Sequence, residues 1–356
     1  VFDGGMPYAA RVDTALAWLD LMRAPIDGQL TAVMEDDGTL GALAGWLEVG
    51  SGHLTLPGLD DPLGFDAMEA RIAYGPDTSR ATFERLMLAS DPLSFDANGH
   101  ADVGDQGQVF VGQFSLSDII ADPDGVFDDA VQIDGAALDL RLTLGEVVSV
   151  EVGQAVIHDG DLRATAQGRA RAGAEGLTLS IDAQMPRITL PEVLSYWPAT
   201  AIPNTRWWLA ERMMAGQVEG LDFAYRQSPD RSPTYEVSFD FDAADIRALP
   251  AAPPIRAASG FLNLQNQRLA VRLDGGGMGA DGQGIVAFAG STMVIEDVSV
   301  AGPLAQINLD LQGQVSDLMH VLAGPPFAVL DPSGYAPNEI GTGYVTAEAA
   351  LTTRLE

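Results

Sequence analysis

Apolar and polar residues alternate with a period of two through most of the chain. In LDLRLTL, residues 138 to 144, Leu138, Leu140, Leu142 and Leu144 fall on one face, and Asp139, Arg141 and Thr143 fall on the other. That is the pattern of a strand with one oily and one wet side. It recurs in LTLSI (Leu177, Leu179, Ile181), VSFDF (Val237, Phe239, Phe241), LAVRL (Leu269, Val271, Leu273) and INLDL (Ile307, Leu309, Leu311). Asp-Gly pairs stand at 27–28, 37–38, 124–125, 134–135, 159–160, 274–275 and 281–282. This dipeptide supports the positive φ of tight hairpin turns, so consecutive strands are expected to be antiparallel neighbours. No fixed-period repeat is present, only a recurring theme of strand, tight turn and strand from about residue 28 onward. The expected class is mainly β, an antiparallel sheet with a few short helices.

Three stretches break the alternation. DTALAWLDLMRAP reads as a helix with Asp13 as N-cap and Pro25 as stop. LPEVLSYWP reads as a short helix with Pro191 at its start and Pro198 at its end. In PNTRWWLAERMMAGQV, Asn204 is placed to cap a helix and Gly216 to end it. At about 100° per residue, Trp207, Leu209, Ala210, Met213 and Met214 share one arc of that helix, and Trp208 falls on the other side with Glu211 and Arg212. This predicts Trp207 in the core and Trp208 half-exposed.

A sheet with one apolar face has to cover it with a second layer, a helix or a ligand. The strands outnumber what three short helices can cover, which leaves a sandwich or an apolar ligand.

Composition narrows the partners. The formal net charge is −31, and all 19 basic residues are Arg. Such a surface repels polyphosphates and anionic bilayers, so nucleic-acid binding is excluded as a working reading. The chain has no Cys, hence no disulfide framework or thiolate metal site. No run approaches the roughly 18 apolar residues of a membrane span. The chain begins VFDGGMPYAARV, without an initiator Met, and is expected to be a piece of a longer protein.

Candidate chemistry is thin. Gly277, Gly279 and Gly282 match G-x-G-x-x-G, but GIVAFAG reads as strand where a dinucleotide fold needs a helix. The same run resembles a single calcium repeat with Asp281, which needs tandem copies. Asp122, Asp124, Asp128 and Asp129 lie close in sequence without the closing Glu of a calcium loop. His53, His100, His158 and His320 stand alone, and Ser115 and Ser117 have no recognisable base. No catalytic residue, metal site or cofactor is expected.

LPEVLSYWP followed by PNTRWWLAERMMAGQV is similar to a pattern of the AsmA-like family of Gram-negative envelope proteins, and most to its YhdP-type branch: Tyr-x-Pro, then an Arg-x-Trp-Leu helix, then Gly-x-Val. APIDGQLTAVMEDDGTL, GSGHLTLPGL and INLDLQGQVSDLMHVLAGPP also resemble family segments, and Trp197 and Trp207 depart from the pattern. The resemblance implies a large periplasmic protein tethered to the inner membrane, an elongated, curved, taco-like β-groove, and bridge-like transfer of phospholipid acyl chains toward the outer membrane. On it, residues 1–190 form a groove segment with an N-terminal short helix, 191–220 a helical insertion, and 221–356 a second groove segment. The groove would be lined by Leu140, Leu142, Leu144, Leu177, Leu179, Ile181, Val237, Phe239, Phe241, Leu269, Val271, Leu273, Ile307, Leu309 and Leu311. Trp207, Trp208, Leu209, Met213 and Met214 would form a lid or plug. The alternatives are a structural or scaffold module binding envelope proteins edge to edge, and a carboxylate-dependent hydrolase of envelope polymers.

Overall fold

The structure, a computed structural model, describes residues 22–34, 40–55, 61–104, 108–122, 127–199, 203–248, 252–279, 284–325, 328–330 and 334–354. The protein is mainly β and its large-sheet strands pair antiparallel, as the alternation predicts. The chain divides into two compact units, one of Val1–Gln184 with Ala224–Thr234, the other of Met185–Phe223 with Tyr235–Glu356. The helical stretch 191–220 thus belongs with most of the strands that follow it.

The first unit begins with β1 (Met22–Arg23), β2 (Ile26–Met34), β3 (Leu40–Val49), β4 (Gly52–Leu54), β5 (Leu63–Phe65), β6 (Ala67–Gly75) and β7 (Arg80–Ala89). It continues with β8 (Leu93–Gly104), β9 (Val109–Ala121), β10 (Val131–Thr143), β11 (Val148–Asp159), β12 (Leu162–Gly173) and the start of β13 (Gly176–Thr189). From β2 through β3 and β6 to β13 the strands pair in order. Strands β1, β4 and β5 make a separate three-stranded sheet.

Glycine permits close strand contacts here. A Cβ on Gly112 in β9 would collide with the His100 carbonyl oxygen, and one on Gly99 in β8 with that of Gln113. Glycines inside strands mark such close approaches and bends.

The second unit starts with α1 (Leu190–Tyr196) and α2 (Pro203–Arg212), then β14 (Met213–Ser228) and β15 (Arg231–Ile246), whose hairpin tip belongs to the first unit. There follow β16 (Ile255–Gln265), β17 (Arg268–Met278), β18 (Val286–Ala287), β19 (Thr292–Ile295), β20 (Leu304–Gln314), α3 (Val315–Ala323) and β21 (Tyr344–Arg354). Thr189 and Glu192 form a capping box: Glu192 N donates to Thr189 Oγ1 at 3.5 Å, and Glu192 Oε2 accepts from Thr189 N at 2.8 Å. This satisfies donors that a helix start otherwise leaves open. Among the described residues the largest fully buried side chains are Phe239, Leu190, Leu209, Leu264, Val218 and Val286, all in this unit.

Several local expectations need correction. Among the described Asp-Gly pairs only Asp159-Gly160 turns a hairpin, with Gly160 at φ +52. Asp27-Gly28, Asp134-Gly135 and Asp274-Gly275 lie inside β2, β10 and β17, where ladder pairing to a neighbouring strand overrides turn propensity. Pairs 37–38, 124–125 and 281–282 lie outside the described residues, as does residues 13–21 of the N-terminal helix; its last residues, Met22 and Arg23, are strand. α2 ends at Arg212 rather than Gly216, which sits in β14 at φ +147 beside Ala244. Asn204 lies within the first turn of α2 and donates instead to the Val298 carbonyl at 3.1 Å. Helix α3 has no counterpart among the sequence expectations.

Candidate functional site

In the first unit, register carries one apolar row from strand to strand. It runs Leu30, Gly45, Ile72, Phe83, Gly99, Phe114, Leu138, Ala155, Ala166 and Ala183. On the same face the next rows bring Leu140 to Val152, Gly168 and Ile181, and Leu142 to Val150, Ala170 and Leu179. The rings of Phe83 and Phe114 meet at 5.7 Å between centroids, a favourable tilted contact. Bulges between Asp139 and Leu140 and between Val152 and Ala155 occur without breaking this apolar face.

The opposite face is polar. Asp102, Val111, Arg141, Glu151 and Arg169 follow one another across the strands. Arg169 pairs with Glu151 at 2.6 Å and Arg80 with Asp102 at 2.6 Å, and the hydrogen bond from Arg80 holds the Asp102 carboxyl below its ordinary pKa. Such exposed pairs add little stability, but they commit this face to water. It carries a shallow polar groove at His100, Asp102, Gln113, Asp139, Arg141 and Glu151.

The apolar face is covered at one end. Met22 and Phe65 of the small sheet form a cluster with Val49, and Ile26, Met68 and Leu88 pack against it. Among its described residues the first unit holds no α-helix that could cover the rest. On this face the side chains Phe83, Phe114, Leu138, Leu140 and Leu142 are half-buried, with the Phe83 and Phe114 rings shielding one another. Leu144, Leu177, Leu179 and Ile181 are half-buried as well.

The second unit treats its apolar face differently. Val237, Phe239 and Phe241 are 8%, 1% and 3% exposed, so they are core and offer a ligand almost no surface. Val271, Leu273, Ile307, Leu309 and Leu311 line a cavity of about 210 Å³ together with Trp208 of α2 and Leu318, Val321 and Leu322 of α3. Leu269 faces a second pocket with Asn204, Thr205, Trp207 and Trp208.

The tryptophans are therefore reversed from the expectation. Trp207 is 51% exposed, with the Arg212 guanidinium 5.8 Å from its ring centre. Trp208 is partly buried and walls the cavity. The buried stripe of α2 is Thr205, Trp208 and Leu209, a three-and-four spacing. Met213 is buried at the start of β14, and Met214 is 49% exposed. Because the helix stops at Arg212, the two methionines alternate as strand residues instead of sharing a helical face.

The remaining candidates stay apart. His320 Nδ1 lies 2.6 Å from the Ser316 carbonyl oxygen within α3, and Ser115 and Ser117 lie on the exposed face of β9. Among the described residues no group of three His, Cys, Asp or Glu is placed to hold a metal ion; Asp124, Asp281 and Gly282 lie outside those residues. No described helix is long and apolar enough to cross a membrane. No family model, curated protein or solved structure matches the chain.

Proposed function

We propose that this chain is a segment of a periplasmic AsmA-like lipid carrier, and that the apolar face of its first unit conducts phospholipid acyl chains between the two envelope membranes. The observation that carries the reading is the apolar row from Leu30 to Ala183, which register continues from β2 to β13 and on which Phe83, Phe114 and Leu138 are half-buried rather than sealed. Each methylene buried on it is worth about 0.8 kcal/mol, so a chain of a dozen methylenes gains on the order of 10 kcal/mol before ordering is charged against it. A lining of Leu, Val, Phe, Ala and Gly makes no polar demand on a tail, so it takes acyl chains with weak discrimination. Head groups stay in water, and no catalytic residue or cofactor is needed. An inner-membrane tether and envelope protein partners belong to the same proposal.

Native mass spectrometry of the purified full chain, with organic extraction of what co-purifies, tests it. The reading expects phospholipid in reproducible stoichiometry, lost in Leu140→Asp and Leu142→Asp while the fold is retained. A folded, lipid-free wild-type chain that also takes up none from phospholipid vesicles contradicts it and favours a scaffold module.

A further inference from the structure

The second unit carries two chambers whose linings, among the described residues, have one residue in common, Trp208. The inner chamber, about 210 Å³, is walled by aliphatic side chains of β17, β20 and α3. Its buried hydroxyl, Ser291 Oγ, is already engaged: it accepts from Asp310 N at 2.9 Å and donates to the Asp310 carbonyl at 3.3 Å. A lining of this kind favours apolar guests, and about 150 Å³ is enough for benzene. The outer chamber, about 480 Å³, is lined by Asn204, Thr205, Trp207 and the segment Val298 to Pro303. Thr205 there is only 4% exposed, and its Oγ1 has no hydrogen-bond partner. No charged side chain lines either chamber.

We propose that these chambers form a binding site for a single-chain amphiphile with an uncharged, hydroxylated head. The tail occupies the inner chamber along the Trp208 indole, and the head lies in the outer chamber, where the Thr205 hydroxyl is available to it. The inner volume sets the tail at one unbranched chain of about six to ten carbons, scaled from the benzene-sized cavity, too little for a two-chain phospholipid. The head is uncharged because a carboxylate or phosphate would find no cation in the lining and would enter against a chain of formal net charge −31. This site is independent of the acyl-chain reading of the first unit.

The test uses the full chain with monodecanoylglycerol, its tail-brominated analogue and decanoate. Native mass spectrometry is expected to show one monodecanoylglycerol per chain, with decanoate at least about ten-fold weaker. The brominated analogue is expected to quench tryptophan emission, and Trp208→Phe to lose most of that quench while still binding. Leu309→Trp fills the inner chamber and should abolish binding. Leu351→Phe, at a more exposed lining position, should weaken it and serves if the first variant does not fold. Absence of binding to the folded wild type, equal binding of decanoate, a quench unchanged in Trp208→Phe, or binding indifferent to a folded filling variant overturns the proposal.

Discussion

The Arg206 guanidinium joins two helices by donating from Nε to the Trp197 carbonyl oxygen at 3.2 Å, and Nη2 reaches the Leu194 carbonyl at the same distance. Both acceptors sit at the C-terminal end of α1, where unsatisfied carbonyls concentrate negative potential. The cation on α2 thereby fixes how the helix bearing Trp208 lies beside α1. Replacing Arg206 with Met should lower stability by about 1–3 kcal/mol, read as a reduced urea midpoint. Arg206→Lys keeps the charge but loses the planar fork, and should fall between.

The Thr189 and Glu192 capping box supplies a pH-dependent term. Hydrogen bonds from the Thr189 hydroxyl and backbone N–H hold the Glu192 carboxyl below its ordinary pKa. A carboxylate depressed in the folded state contributes stability above its unfolded value, near 4.3, and that contribution is lost as pH falls through the folded value. Glu192→Gln should therefore be less stable than wild type at pH 7, by up to about 1 kcal/mol, with the gap closing below about pH 4. Urea unfolding of both chains at pH 7 and pH 3 measures it.

Gly112 and Gly153 make a matched pair of probes on neighbouring parts of one sheet. A Cβ at Gly112 meets the His100 carbonyl and lies 2.7 Å from Ala101 Cα, whereas one at Gly153 meets nothing within 4 Å. Gly112→Ala should destabilise by about 1–3 kcal/mol through forced strand separation, and Gly153→Ala should stay within about 0.5 kcal/mol of wild type.

The two units should also respond differently to loss of an apolar side chain. Phe239 is 1% exposed, and Phe239→Ala should cost about 3–5 kcal/mol. Leu142 is half-buried, so Leu142→Ala should cost only about 1 kcal/mol. Chemical denaturation of both variants gives the comparison.

Strand identity and the division into an oily and a wet face were legible at Leu138, Leu140 and Leu142, because a period of two admits only one such arrangement. What covers the oily face was not: VSFDF and LDLRLTL alternate alike, yet Phe239 is 1% exposed and Leu142 is half-buried, a difference set by neighbours distant in sequence. The tryptophan assignment failed because the wheel ran the helix past Arg212, where Met213 already belongs to β14. Helix α3 was hidden inside QVSDLMHVLAG, whose Val315, Leu318, Val321 and Leu322 have helical spacing but follow a clear strand without a capping side chain. The chambers beside Trp208 gather residues more than 100 positions apart, and no local pattern foretells that.

The central claim is that acyl chains lie on one face of the first unit's sheet. The most direct measurement places a photo-cross-linking amino acid, one position at a time, from Ala137 to Leu142 along β10, and exposes each full chain to vesicles containing labelled phospholipid. The account predicts labelling with a period of two, strong at positions 138, 140 and 142 and absent at 137, 139 and 141. Equal labelling of both sets, or none at any position in folded protein, would contradict it.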